Sequence, residues 1–292
     1  MRLYSFEYHD TPRLGVALPD GKQVLDLAEA APQLPRNAVE FITNFSSSAA
    51  VVDQLLQSSH NAACLYDLHA LRLLAPIPRP GKILCSGINY RSHLQENPKA
   101  VLPEEPFFFA KMPSAVIGPN QPIKYPRHSK QVDYEIELAV VIGKTMKHTK
   151  EADVLEHVFG YTILHDVSAR DVQFRDNQIT LGKNFDTFCP IGPCVVTRNE
   201  IPHPDRIALK TFLNGQVMQD GSTSDWLFSL PQLLSFLSQR ITLEPGDIVS
   251  TGTPAGVGVF RRPPIFLQPG DVVRLEADQI GTLQNAVTQD VN

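Results

Sequence analysis

The sequence predicts a mixed α+β fold, mainly β, in which a strongly bent β-roll or sandwich follows a small N-terminal α+β module. Strand-like apolar runs dominate from residue 82 onward, and Asn-Gly and Pro-Gly pairs separate them as turn signals. Helical patterns over residues 151–158, 169–175 and 230–239 are too few and too irregularly placed for a doubly wound sheet.

Taken in order, the N-terminal module covers residues 1–72. It has a strand at 3–8, a turn at Pro19-Asp20-Gly21-Lys22, and helical periodicity over 38–44 and 49–57. Residues 73–81, with Pro76, Pro78 and Pro80, cannot continue a helix and read as a linker. The larger domain, 82–292, opens with a strand at 82–86. Asn214-Gly215 joins strands at 210–213 and 216–218, while Pro245-Gly246 and Pro269-Gly270 precede strands at 247–249 and 271–275. No fixed period links these turns, so they are not a repeat array.

With 292 residues and 42% hydrophobic positions, the chain can bury a large core. A net charge of −5 gives no basic footprint, which argues against nucleic acid and anionic membrane as partners and leaves a small molecule as the expected ligand. No apolar run reaches the ~20 residues of a membrane span. The N-terminus has neither signal-peptide regions nor an Arg- and Ser-rich leader, so the expected location is cytoplasmic, with a mitochondrial one as the alternative for a eukaryotic protein. Cys64, Cys85, Cys189 and Cys194 have no metal-site or redox spacing and read as reduced packing residues.

The run 133–142, Asp-Tyr-Glu-Ile-Glu-Leu-Ala-Val-Val-Ile, reads as a strand whose period sends Glu135 and Glu137 to one face, about 7 Å apart. Ala139 and Val141 continue that face, and the other is wholly apolar, so both sides are expected to be covered. Buried anions need a counter-charge, whereas the same pair on a half-exposed strand needs none. A second strand-like run, 161–166, ends on Asp166, and three carboxylates suit a hard divalent cation. Magnesium or manganese fits better than zinc, because no nearby His or Cys pair has ligand spacing. Calcium in a β-rich binding module is the reading from a different class.

His93 and Glu96 are one helical turn apart, either a proton-abstracting dyad on a mobile flap over 94–106 or an ordinary surface pair. Ser168 is a candidate N-cap, and Arg170 and Gln173 share a helix face that can hold a carboxylate, although Arg170 beside Asp171 also reads as a plain ion pair. Lys183, in an apolar and glycine-containing segment, either stabilises an enolate or oxyanion or snorkels to the surface. The glycine-rich loop from Thr251 to Gly258 lacks the Gly-Lys-Ser/Thr of a P-loop, but Thr253 and its backbone amides can bind an anion.

Together, Gly87-Ile88-Asn89-Tyr90 with His93 and Glu96, the Glu135/Glu137/Asp166 set, Ser168-Ala169-Arg170-Asp171, Gly182-Lys183-Asn184-Phe185-Asp186 and Thr251-Gly252-Thr253-Pro254 resemble the fumarylacetoacetate hydrolase family. The resemblance covers about residues 82–288, and the ending Val259-Phe260-Arg261-Arg262-Pro263-Pro264 is similar to one subgroup. It implies a β-roll catalytic domain in a homodimer, with Mg²⁺ (or Mn²⁺) on Glu135, Glu137 and Asp166. His93 and Glu96 would then activate water on a lid, Lys183 would support the enolate, and Tyr90, Arg170, Gln173, Gly252 and Thr253 would contact a 2-oxo or diketo acid. The expected reaction is C–C bond hydrolysis of an acylpyruvate. Tautomerisation or decarboxylation of oxaloacetate is the alternative, and the subgroup resemblance favours the tautomerase.

Overall fold

The computed structural model describes residues 1–58, 62–97, 100–175 and 179–290. Its main sheet of twelve strands runs, by neighbour, Leu65–Asp67, Gln23–Asp26, Thr11–Ala17, Arg2–Tyr8, Cys189–Thr197, Val158–His165, Ile136–Ile142, Ile248–Ser250, Ile83–Ser86 and Phe108–Lys111, with two short strands beside this path. Leu3 pairs antiparallel with Val195, so the N-terminal strands extend the sheet of the larger domain. A second sheet of five strands holds Ala208–Leu213, Gln216–Ser222, Val272–Ala277, Gly281–Gln289 and Ile123–Tyr125. The fold is thus mixed α+β and mainly strand, as the turn and strand signals require.

Period-two alternation explains the layering. On Ile136–Ile142, Ile136, Leu138, Val140 and Ile142 join a core with Leu209, Leu275 and Leu283 of the second sheet. Ala139 and Val141 join another with Phe41, Ile42 and Val52 of the N-terminal helices. Both faces are covered, and every residue of this strand is buried.

Asn214 and Gly215 take positive φ, as a two-residue hairpin demands, and place Leu213 opposite Gln216. Helices at Ala38–Thr43 and Phe45–Gln57 match the periodicity, the second starting earlier than expected. Leu230–Arg240 is closed by a capping box between Ser229 and Gln232 and buries Leu233, Leu234 and Leu237.

Four local expectations fail. Residues 151–158 form a turn and a short 3₁₀ segment, Val154–His157, because Val158 already belongs to a buried strand. The helix expected over 169–175 is only Arg170–Gln173. Ser168 is no N-cap, since its backbone pairs with Asp133 and its hydroxyl donates to the Asp166 carbonyl. The expected strand at 133–142 also breaks, with Val132–Asp133 pairing separately and Tyr134 and Glu135 outside both strands.

Candidate active site

Glu137 lies inside Ile136–Ile142, Glu135 just before it, and Asp166 just after the neighbouring strand Val158–His165, with Ile136 opposite His165. That register puts one oxygen from each of the three buried carboxylates within 4.8 Å of the others. They line a cavity of about 220 Å³ with His93, Arg170, Gln173, Lys183 and Thr253, walled by Ile88, Phe107, Phe109 and Ile179.

Counter-charges come from inside the protein. Lys183 Nζ donates to Glu135 at 2.7 Å and to Asp166 at 2.5 Å. Arg170 donates through Nε to Asp133 at 2.9 Å and through Nη2 to Glu135 at 2.5 Å. The fully buried Lys111, which no motif reading singled out, donates to Asp166 at 2.6 Å and to the Lys183 carbonyl at 2.6 Å. Its only sequence signal is a lysine closing the apolar run Phe108–Lys111.

These neighbours split the acidic pair. Burial alone would raise Glu135, but Arg170 and Lys183 outweigh it and hold its carboxyl well below the usual range. Burial, reinforced by Asp166 and Glu135, pushes Glu137 well above the usual range. Among the described residues, Glu137 receives only the Ser250 hydroxyl and the Gly252 N–H, the latter at 3.2 Å. Burial also works against charge on Lys183, yet Asp166 and Glu135 more than offset it, so the ammonium is held above its ordinary value.

A divalent cation fits this donor set. Among the described residues, four buried carboxylates, Asp133, Glu135, Glu137 and Asp166, meet the three cations Lys111, Arg170 and Lys183, one positive charge short, and the shortfall falls at Glu137.

His93 and Glu96 share the helix Arg91–Glu96 and are joined by a hydrogen bond, Nδ1 to Oε2, at 2.9 Å. Glu96 also accepts from the Gly256 N–H at 2.7 Å. Residues 98 and 99 of the expected flap lie outside the described residues. Gln173 accepts from Arg170 Nη1 at 3.1 Å, which leaves its amide nitrogen to donate into the cavity.

Two expected substrate contacts do not reach the cavity, and a third is committed elsewhere. Tyr90 is fully buried, with its backbone bridged to Trp226 and its ring in the core. Gly252 spends its N–H on Glu137. Arg170 lines the cavity, but its guanidinium is taken by Asp133 and Glu135, so it supports the carboxylate wall.

The family model described as "Fumarylacetoacetate (FAA) hydrolase C-terminal" matches residues 82–288. The chain belongs to the fumarylacetoacetate hydrolase family. A Xenopus laevis protein named oxaloacetate tautomerase fahd2, mitochondrial, is 44% identical over 98% of this chain and 90% of its own length. The solved fumarylacetoacetate hydrolase of Exiguobacterium antarcticum is 36% identical, with a TM-score of 0.84 over 99% of this chain and 100% of its own. Maleylpyruvate hydrolase of Sphingobium sp. SYK-6, solved with manganese(II) and pyruvate, is 32% identical, with a TM-score of 0.81 over 99% of both chains. The fumarylacetoacetate hydrolase family thus includes relatives named for tautomerisation and for hydrolysis, which agrees with an enzyme and leaves the calcium-stabilised binding module unsupported. A manganese-bound neighbour and the acidic triad both point to a divalent metal. Nothing in these likenesses supports the cytoplasmic expectation, since the Xenopus protein's name carries "mitochondrial".

Proposed function

We propose that this protein is a divalent-metal-dependent oxaloacetate tautomerase, with Mg²⁺ as the resident ion and Mn²⁺ as a substitute. The observation that carries the reading is the buried charge balance. One positive charge short as it stands, the cluster becomes net positive by one with a divalent ion, which suits a small dicarboxylate. The full-length likeness to a protein named oxaloacetate tautomerase sets this reading above the hydrolysis expected from the motifs.

Glu135, Glu137 and Asp166 would hold the ion, whose chemistry when bound is Lewis-acid polarisation of the 2-oxo group. Two of the three Lys183 donors go to Glu135 and Asp166, and the third remains for the substrate oxygen on which negative charge develops. With Nδ1–H donated to Glu96, His93 presents Nε2 as the acceptor in the cavity. Nε2 takes the proton from the enol hydroxyl and returns it to C3, so an O–H bond breaks and a C3–H bond forms. The Gln173 amide nitrogen and the Thr253 backbone N–H would bind the carboxylates, since the Thr253 hydroxyl already donates to the Ile136 carbonyl.

The His93–Glu96 dyad keeps acylpyruvate hydrolysis as the second reading, because the same base can deprotonate water. Turnover of enol-oxaloacetate and of an acylpyruvate by the parent separates the two, and His93→Ala, which removes the base of both readings, should lower whichever activity is present. The tautomerase reading expects oxaloacetate as the better substrate by at least tenfold in kcat/KM, and the reverse order overturns it.

The working unit we propose is a homodimer, whose second copy would cover the exposed Met112 and Leu181 around a surface hollow of about 570 Å³. Light scattering should give twice the mass of the 32.4 kDa chain. The relative's name favours a mitochondrial location.

A further inference from the structure

Gln219, on the strand Gln216–Ser222 of the second sheet, is fully buried, and every hydrogen-bonding position of its carboxamide is used. Oε1 accepts from the Ile136 N–H at 3.1 Å and from the Thr211 hydroxyl at 2.8 Å. Nε2 donates to the Thr253 hydroxyl at 2.8 Å and to the Pro254 carbonyl at 2.9 Å. The Thr253 hydroxyl in turn donates to the Ile136 carbonyl at 2.8 Å, closing a ring of contacts. Ile136 is the residue between Glu135 and Glu137. Its N–H is therefore held by Gln219, and its carbonyl by a threonine that Gln219 orients.

The loop after Thr253 leans on the same strand. A Cβ at Gly256 would lie 2.2 Å from the Met218 carbonyl, so the two backbones touch directly, and the Gly256 N–H holds Glu96. We propose that Gln219 is a positioning residue for substrate binding. Its amide locks Thr253 and the peptide between the two glutamates into one unit, and so fixes the loop wall of the cavity. The proposal rests on the reading of that cavity as the substrate site. A purely structural role would show in stability alone, whereas this role acts on KM.

The test compares Gln219→Met, which removes all four bonds, with Thr211→Val, which removes one bond of the same amide away from the loop. Three quantities are measured on the metal-loaded protein: kcat and KM for oxaloacetate, Kd for pyruvate by calorimetry with Mn²⁺ present, and the thermal unfolding midpoint. Gln219→Met should raise both KM and Kd about tenfold, the effect of one lost hydrogen bond, with kcat little changed. Thr211→Val should lower the midpoint and leave KM and Kd alone. Gln219→Glu retains the acceptors but loses the donors when ionised, and it should reproduce the KM shift if the methionine variant does not fold. Equal KM shifts in the Gln219 and Thr211 variants, a Gln219 shift under twofold, or failure of both Gln219 variants to fold while Thr211→Val folds overturns the proposal. A parent protein that binds pyruvate without converting oxaloacetate overturns the functional reading alone, and Kd still decides the role of Gln219. A parent that does neither overturns both.

Discussion

Opposite walls of the cavity are held by different kinds of force. On one, Glu135 and Asp166 are fixed by Arg170, Lys183 and Lys111, all buried and all in direct ion pairs. On the other, the helix Arg91–Glu96 has no buried residue. It is tied down by the Ser92 N–H to Asp225 at 2.8 Å, Arg91 to the Trp226 carbonyl at 2.6 Å, and the Gly256 N–H to Glu96 at 2.7 Å. Six residues are too few for a helix to persist alone, so these contacts are what hold it. In the proposed mechanism, charges that stabilise a developing anion are set rigidly when the chain folds, while the proton-handling groups ride on a short helix that should open at small cost.

The sharpest way to break this comparison is Lys111→Met. Removing one partner of a buried pair leaves Asp166 and the Lys183 carbonyl short of a donor, and should cost about 3–5 kcal/mol of stability. Urea unfolding reads that loss, and a midpoint equal to the parent's would mean that ion pairing does not hold this wall. Lys183→Met comes next. If it donates to the developing charge as proposed, its loss should reduce kcat about 10²–10³-fold, corresponding to about 2.7–4 kcal/mol. Steady-state assay on oxaloacetate checks this, and a drop below tenfold removes Lys183 from the chemistry.

The same contrast governs what could be read from the sequence. Glu135 and Glu137 were legible because acidic residues at period two beside an apolar run have no comfortable surface role, and Asp166 because it closes a second apolar run. Lys111 was not, since its burial depends on Asp166, a partner 55 residues away that no local pattern announces. Gln219 was hidden similarly, its partners lying 83 and 34 residues away. Tyr90 misled because it sits beside His93 in a motif, while its bridge to Trp226 draws the ring into the core. The helix expected at 151–158 failed because charged residues there mimic helical spacing, whereas Val158 is claimed by pairing with Ile142. Local periodicity located the carboxylates, and long-range pairing decided their partners.

The smallest expected effect falls on the helix Arg91–Glu96, the proposed lid. Asp225 accepts from the N–H of Ser92, the second residue of the helix, and so caps it from outside the chain segment. Asp225→Ala should cost about 1 kcal/mol, the usual loss for a removed cap, and that cost should act on lid closure alone. KM for oxaloacetate should then rise by up to about fivefold, because the closed population falls by the corresponding factor. The thermal midpoint should stay near the parent's, since opening of the lid lies below global unfolding. Asp225→Asn, which keeps an acceptor oxygen, should restore KM. If Asp225→Ala instead lowers the midpoint by several degrees with KM unchanged, the helix is part of the cooperative core, and the two walls do not differ in kind.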